Sequence, residues 1–144
     1  MRVTLTFAML LCIVILFYNC AEGESKSVET ILHPNNDSEL TLLMRDMYDY
    51  YDKLKLDVQK GQLPSKIREF KEIHEAVATD PDKSSSDLYK AMSTVYLQSA
   101  EMLKPSAKDL PKVFNSMVDN CMNCHKQMCP GPMVKIKKLY VKNI

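Results

Sequence analysis

The sequence predicts an all-α protein, an antiparallel four-helix bundle, on three observations. Apolar residues between residues 38 and 128 recur at spacings of three and four, the period of a helix face. Pro, Gly and Ser clusters cut that pattern into four stretches joined by short connections. No stretch sustains the period-two alternation of a half-buried strand.

Helix A carries Leu40, Met44, Met47, Tyr51, Leu54 and Val58 on one stripe, with Asp37 or Ser38 as N-cap and Gly61 as the C-terminal stop. Helix B starts at Pro64, where a first-turn proline is tolerated, and its stripe of Ile67, Phe70, Ile73 and Val77 runs to the Asp80-Pro81 break. Helix C starts near Ser86, turns Leu88, Met92, Val95, Ser99 and Leu103 inward, and stops at Lys104-Pro105. Helix D carries Leu110, Phe114, Met117, Cys121, Cys124 and Met128; Pro111 fits its first turn and Pro130-Gly131-Pro132 ends it.

The chain has 144 residues, 46% hydrophobic and 26% charged, which suits one globular domain behind a targeting segment. Arg2 is the only charge before residue 20, and Val3 to Tyr18 is an apolar run too short for a comfortable membrane span, so residues 1–19 read as a signal peptide. Cys20 follows at once and resembles the lipidated cysteine of a bacterial lipoprotein, although Tyr18 and Asn19 are bulkier than the small residues such sites carry. The expectation is export to the periplasmic face of a bacterial membrane and a lipid anchor at Cys20. Residues 20–37 then form a polar tether, and residues 38–144 the folded domain with a short basic tail.

Loss of the leader removes one of the 19 basic residues and none of the 18 acidic ones, leaving 18 against 18. That balance excludes a nucleic-acid binder, which needs a basic excess to neutralise phosphates. Of five cysteines, Cys12 leaves with the leader and Cys20 is the lipid site. Cys121, Cys124 and Cys129 remain, an odd number that excludes a disulfide framework as the main use of the thiols.

Helix D contains Cys121-Met122-Asn123-Cys124-His125, the C-x-x-C-H pattern of covalent haem attachment. Positions i, i+3 and i+4 share a helix face, so two thiols reach the vinyl groups of one porphyrin while the imidazole reaches its iron. A thioredoxin-like dithiol fits poorly because no βαβ unit surrounds the motif. A zinc site from Cys121, Cys124, His125 and Cys129 would draw its tetrahedron from nine consecutive residues, whereas zinc ligands usually come from separated pairs. The expected cofactor is therefore one covalent haem c, held by Cys121 and Cys124 and ligated by His125.

With this motif on the last of four helices, the chain resembles the class II cytochromes c, the cytochrome c-prime type, over roughly residues 38 to 129. In low-spin members a methionine of the first helix is the second axial ligand, in a stretch similar to Leu-Met-Lys or Leu-Met-Arg. Leu43-Met44-Arg45 matches it, so the resemblance implies Met44 as the distal ligand. The residues alone leave Met44 and Met47 as competitors on one stripe, and either is a common core filler. Many members also carry a basic residue one turn before the ligand, paired with a haem propionate; this chain has Leu40 there, and Arg45 leans off the stripe.

Other residues read more blandly. His74 lies at the edge of helix B's apolar face as a packing residue and His33 in the tether as a solvated one. Of Tyr48, Tyr50 and Tyr51, only Tyr51 falls on the stripe. Cys129 reads as a buried inert thiol, ahead of an intermolecular disulfide. The tail folds back through Val134, Ile136, Leu139 and Val141, leaving Lys135, Lys137, Lys138 and Lys142 on a solvated face. The functional expectation is a membrane-tethered electron carrier for redox partner proteins, not an enzyme, with a second copy of the chain as a further candidate partner. The alternative is a five-coordinate haem protein that binds nitric oxide or carbon monoxide. A haem-free structural or metal-binding lipoprotein is a third reading.

Overall fold

A computed structural model describes residues 37–142, which fall in one compact unit, Asp37–Ile144. The signal peptide, Cys20, His33 and nearly all of the tether lie outside the described residues. What is described is all-α: α1 (Glu39–Gln59), α2 (Pro81–Ser85), α3 (Asp87–Glu101), α4 (Leu110–Met128) and α5 (Met133–Ile136), with 3₁₀ turns at Lys71–His74 and Lys137–Leu139. Among the described residues there is no strand, and no helix is long and apolar enough to cross a membrane.

Local chemistry sets the ends of the long helices. Ser38 Oγ accepts from the Thr41 N–H at 3.3 Å, satisfying one donor of the first turn of α1. At the other end Gly61 takes φ +70°, which lets its own N–H reach the Val58 carbonyl and the Gln62 N–H reach that of Asp57, a Schellman closure. Asp109 caps α4 through the Lys112 N–H at 3.0 Å, and Pro111 sits in the first turn, where its missing N–H costs nothing.

The α1 and α4 stripes face inward as their spacing predicts: Met47, Tyr51, Leu54 and Val58 from α1, and Leu110, Phe114 and Met117 from α4, are buried. Tyr51 meets Phe114 with ring centroids 6.2 Å apart. Each fully buried large side chain contributes about 1.5–3 kcal/mol.

Two expectations are corrected. The helix expected from Pro64 does not form; only Lys71–His74 is helical, and as a 3₁₀ turn. Ile67, Phe70 and Ile73 are spaced by three, the period of 3₁₀ rather than of an α-helix. The surrounding backbone is bonded to α1 instead: the Arg68 N–H donates to Tyr50 Oη at 2.9 Å, the Val77 N–H to Glu39 Oε2 at 3.1 Å, and the Val77 carbonyl accepts from Leu40 N–H at 3.0 Å. Phe70 is buried against Tyr50 and Tyr51, with the Arg68 guanidinium 4.3 Å from its ring centre. These contacts with α1 decide the backbone of residues 64–79, whose Lys, Arg, Glu and Ala would by themselves favour a helix.

The second correction is rotational. α3 forms where expected, capped by Ser86, but it buries Tyr89, Ser93, Tyr96 and Ala100, leaving Leu88 and Val95 46% and 47% exposed. The buried face lies one residue on from the expected one. Tyrosine buries a larger side chain than Val or Leu, and both hydroxyls find partners: Tyr89 donates to the Ile73 carbonyl at 2.7 Å, and Tyr96 meets Tyr51 Oη at 2.9 Å. Ser93 donates to the Tyr89 carbonyl at 2.9 Å.

The tail folds back as a strap. Ile136, Leu139 and Val141 are buried, although Val134 is 75% exposed. Asn115 clamps the strap at two points, donating to the Val141 carbonyl at 2.9 Å and accepting from its N–H at 2.8 Å. Lys55 Nζ donates to the Lys138 carbonyl, and the Tyr140 hydroxyl to Asp119. α4 is packed by α1, α3 and the strap.

Candidate functional site

α1 and α4 run antiparallel, because Tyr51 faces Phe114 while Met44 and Met47 share a cavity with Cys121 and His125 farther along α4. That cavity lies between the N-terminal half of α1 and the C-terminal half of α4 and holds about 630 Å³. Pockets for cofactors and small molecules span ~300–1,000 Å³. The wall from α1 includes Leu40, Met44, Met47, Tyr48 and Tyr51; α4 supplies Cys121, Cys124, His125 and Met128. The residues before and within α2, Tyr89 of α3, Cys129, and Pro132 with Lys135, Ile136 and Leu139 of the strap close it.

Both cysteines and the histidine of the C-x-x-C-H stretch are on this wall, and so are Met44 and Met47. Met47 is buried at 6% exposure, while Met44 is half-buried and packs against the core cluster. The thiols of Cys121 and Cys124 are unpaired with each other. Burial pushes the Cys121 thiol up to about 12, with the neighbouring Cys124 adding to it, and Cys124 up to about 11. Both are therefore protonated thiols at neutral pH, slow to form thiolate and slow to oxidise.

His125 is buried, and burial holds its imidazole below the ordinary range, so the ring is neutral at neutral pH. Its Nδ1 lies 3.1 Å from the Cys129 carbonyl. A carbonyl can only accept, so Nδ1 carries the proton and Nε2 keeps its lone pair. A metal-ligating histidine typically has this arrangement, one nitrogen tied to a backbone carbonyl and the other available.

Cys129 is exposed rather than buried, with Sγ 3.3 Å from the same Nδ1, so the inert buried thiol expected from sequence is corrected to an exposed one beside the His125 ring. His74 is exposed, bonded through Nδ1 to Ser93 Oγ at 3.2 Å, and takes no part in the cavity. Tyr48 lines the cavity beside Tyr51, although sequence spacing put it off the stripe. Tyr89, Lys83 and Lys135 also line the cavity; Tyr89 lies on an alternative α3 stripe legible from its spacing to Ser93 and Tyr96, whereas the lysines give no local signal.

Among the described residues no group of three or more His, Cys, Asp or Glu side chains could hold a metal ion by itself. The donors are instead spread along two facing helices: two thiols one turn apart, the adjacent imidazole and a thioether opposite. This set, in a largely apolar cavity of cofactor size, fits a haem held by two thioethers. No protein-family model, curated protein or solved structure matches the chain.

Proposed function

We propose that the protein is a c-type cytochrome of the class II kind, an electron carrier, not an enzyme. Cys121 and Cys124 would hold one haem c covalently, and His125 and Met44 would ligate its iron, with Met47 the competing thioether. The observation that carries this reading is the convergence on one cavity of the C-x-x-C-H residues of α4 and the methionines of α1. In this reading the three long helices α1, α3 and α4 carry the class II architecture without the second helix expected from Pro64.

When bound, the iron would pass between ferrous and ferric states and so carry one electron. The chain's residues do the rest. Cys121 and Cys124 fix the group covalently, so it stays bound in either oxidation state. The Cys129 carbonyl holds the His125 ring in one tautomer and orientation through Nδ1. The Met44 thioether, a soft donor, favours the reduced state and raises the potential relative to a second histidine. The largely apolar wall would disfavour added charge at the site. Met44 is the better placed methionine in this reading because Met47 is packed into the core.

The optical spectrum of the purified protein, oxidised and reduced, with and without carbon monoxide, tests the proposal. A low-spin spectrum indifferent to carbon monoxide is expected, with Met44→Ala opening the site to carbon monoxide and lowering the potential. A wild-type protein already high-spin and reactive would replace the electron carrier by a gas-binding haem protein. Export and anchoring belong to the same proposal: Cys20→Ser is expected to release the protein from the membrane fraction, and a processed Cys20→Ser protein still in that fraction contradicts lipidation there.

A further inference from the structure

The cavity is largely apolar, yet three cationic side chains stand on its wall: Arg45, Lys83 and Lys135. Two are taken. The Arg45 guanidinium makes a two-point pair with the Asp37 carboxylate, one arm at 2.8 Å, and Lys83 pairs with Asp80 at 3.2 Å. Lys135 has no carboxylate within ion-pair distance among the described residues; its Nζ lies 4.2 Å from the centre of the Tyr48 ring. An aromatic face attracts a cation without neutralising it, so Lys135 presents a positive charge held in place over a cavity wall. The segment that delivers it is fixed by the Asn115 clamp on Val141 and by Lys55 on the Lys138 carbonyl. An apolar cavity with one uncompensated cation is complementary to an amphiphile that is apolar in its body and anionic at its edge.

We infer that Lys135 is the anion-holding residue of the cavity and, resting on the haem reading above, that it pairs with a haem propionate carboxylate. The strap thereby supplies from the C-terminus the cation that Leu40 does not supply from α1. Lys135 acts on the cofactor's edge and positions it; it is not an iron ligand.

The test uses the mature haem-bearing protein and its reduction potential. Lys135→Gln removes a positive charge that opposes the extra charge of ferric iron, so the potential is expected to fall, while Lys135→Arg keeps the charge and is expected to restore the wild-type value. Lys137→Gln, which removes an exposed cation of the same strap that does not line the cavity, is expected to shift the potential much less. Covalent haem is verified in each variant first. Lys135→Gln with attached haem and an unchanged potential, or a shift no larger than that of Lys137→Gln, overturns the assignment of Lys135 and leaves the haem reading standing. Absence of covalent haem from the wild-type protein overturns both.

Discussion

The two ends of the α1–α4 pair differ in what their side chains can do. At one end Tyr51, Phe70, Tyr96 and Phe114 form a closed aromatic core, with Tyr51 touching all three others and every exposure at 3% or below. At the other, the same helices present Met44, Met47, Cys121, Cys124 and His125 around a cavity. The helical period is continuous through both ends; only the residue types change, from large rings that fill space to soft donors that leave it. One end holds the helices together so that the other stays open.

Substitutions at the two ends should therefore separate stability from spectrum. Phe114→Ala is expected to cost about 3–5 kcal/mol in denaturant unfolding, with the haem spectrum of the folded fraction unchanged. Met47→Ala, a core change, should cost about 2–5 kcal/mol and keep the low-spin spectrum, whereas Met44→Ala should change the spectrum. A Met47→Ala protein that binds carbon monoxide would move the ligand by one turn.

Tyr51→Phe leaves the buried Tyr96 hydroxyl without its partner and is expected to cost about 1–3 kcal/mol, with the Tyr51→Phe, Tyr96→Phe double variant recovering part of the loss. An additive double variant would mean that the pair is not coupled. Ser38→Ala, at the N-cap on the open side, should cost about 1 kcal/mol by the same unfolding measurement and leave the potential unmoved.

The pH response of the haem-free chain sharpens the contrast further, since His125, Cys121 and Cys124 all stand on the cavity wall. Burial holds His125 below its unfolded value, so the unfolded chain binds a proton that the folded one does not. Stability should fall as pH drops through about 6.5, and His125→Gln should flatten that limb. Cys121 and Cys124 are raised, so the unfolded thiols ionise first and stability should fall again above about pH 8.5.

α1 and α4 were legible in the sequence because their stripes are long, unambiguous and capped, and C-x-x-C-H names three of the residues that line the cavity at once. α3 was legible in extent but not in rotation. Leu88, Met92 and Val95 form one stripe and Tyr89, Ser93 and Tyr96 another, and only partners far along the chain, Ile73 and Tyr51, favour the second. Residues 64–79 misread because a three-residue spacing is ambiguous between helix types, and because contacts with Glu39, Leu40 and Tyr50 of α1 decide the backbone. Lys135 could not be found locally: its neighbour Tyr48 is 87 positions away in sequence.

The central claim is that Cys121 and Cys124 carry a haem. It is tested most directly by expressing the chain with cytochrome c maturation enzymes and following haem through acid–acetone extraction and a denaturing gel. The account predicts haem that stays with the wild-type polypeptide and is lost when both cysteines are replaced by alanine. Haem extracted freely from the wild-type protein, or none bound at all, would contradict it.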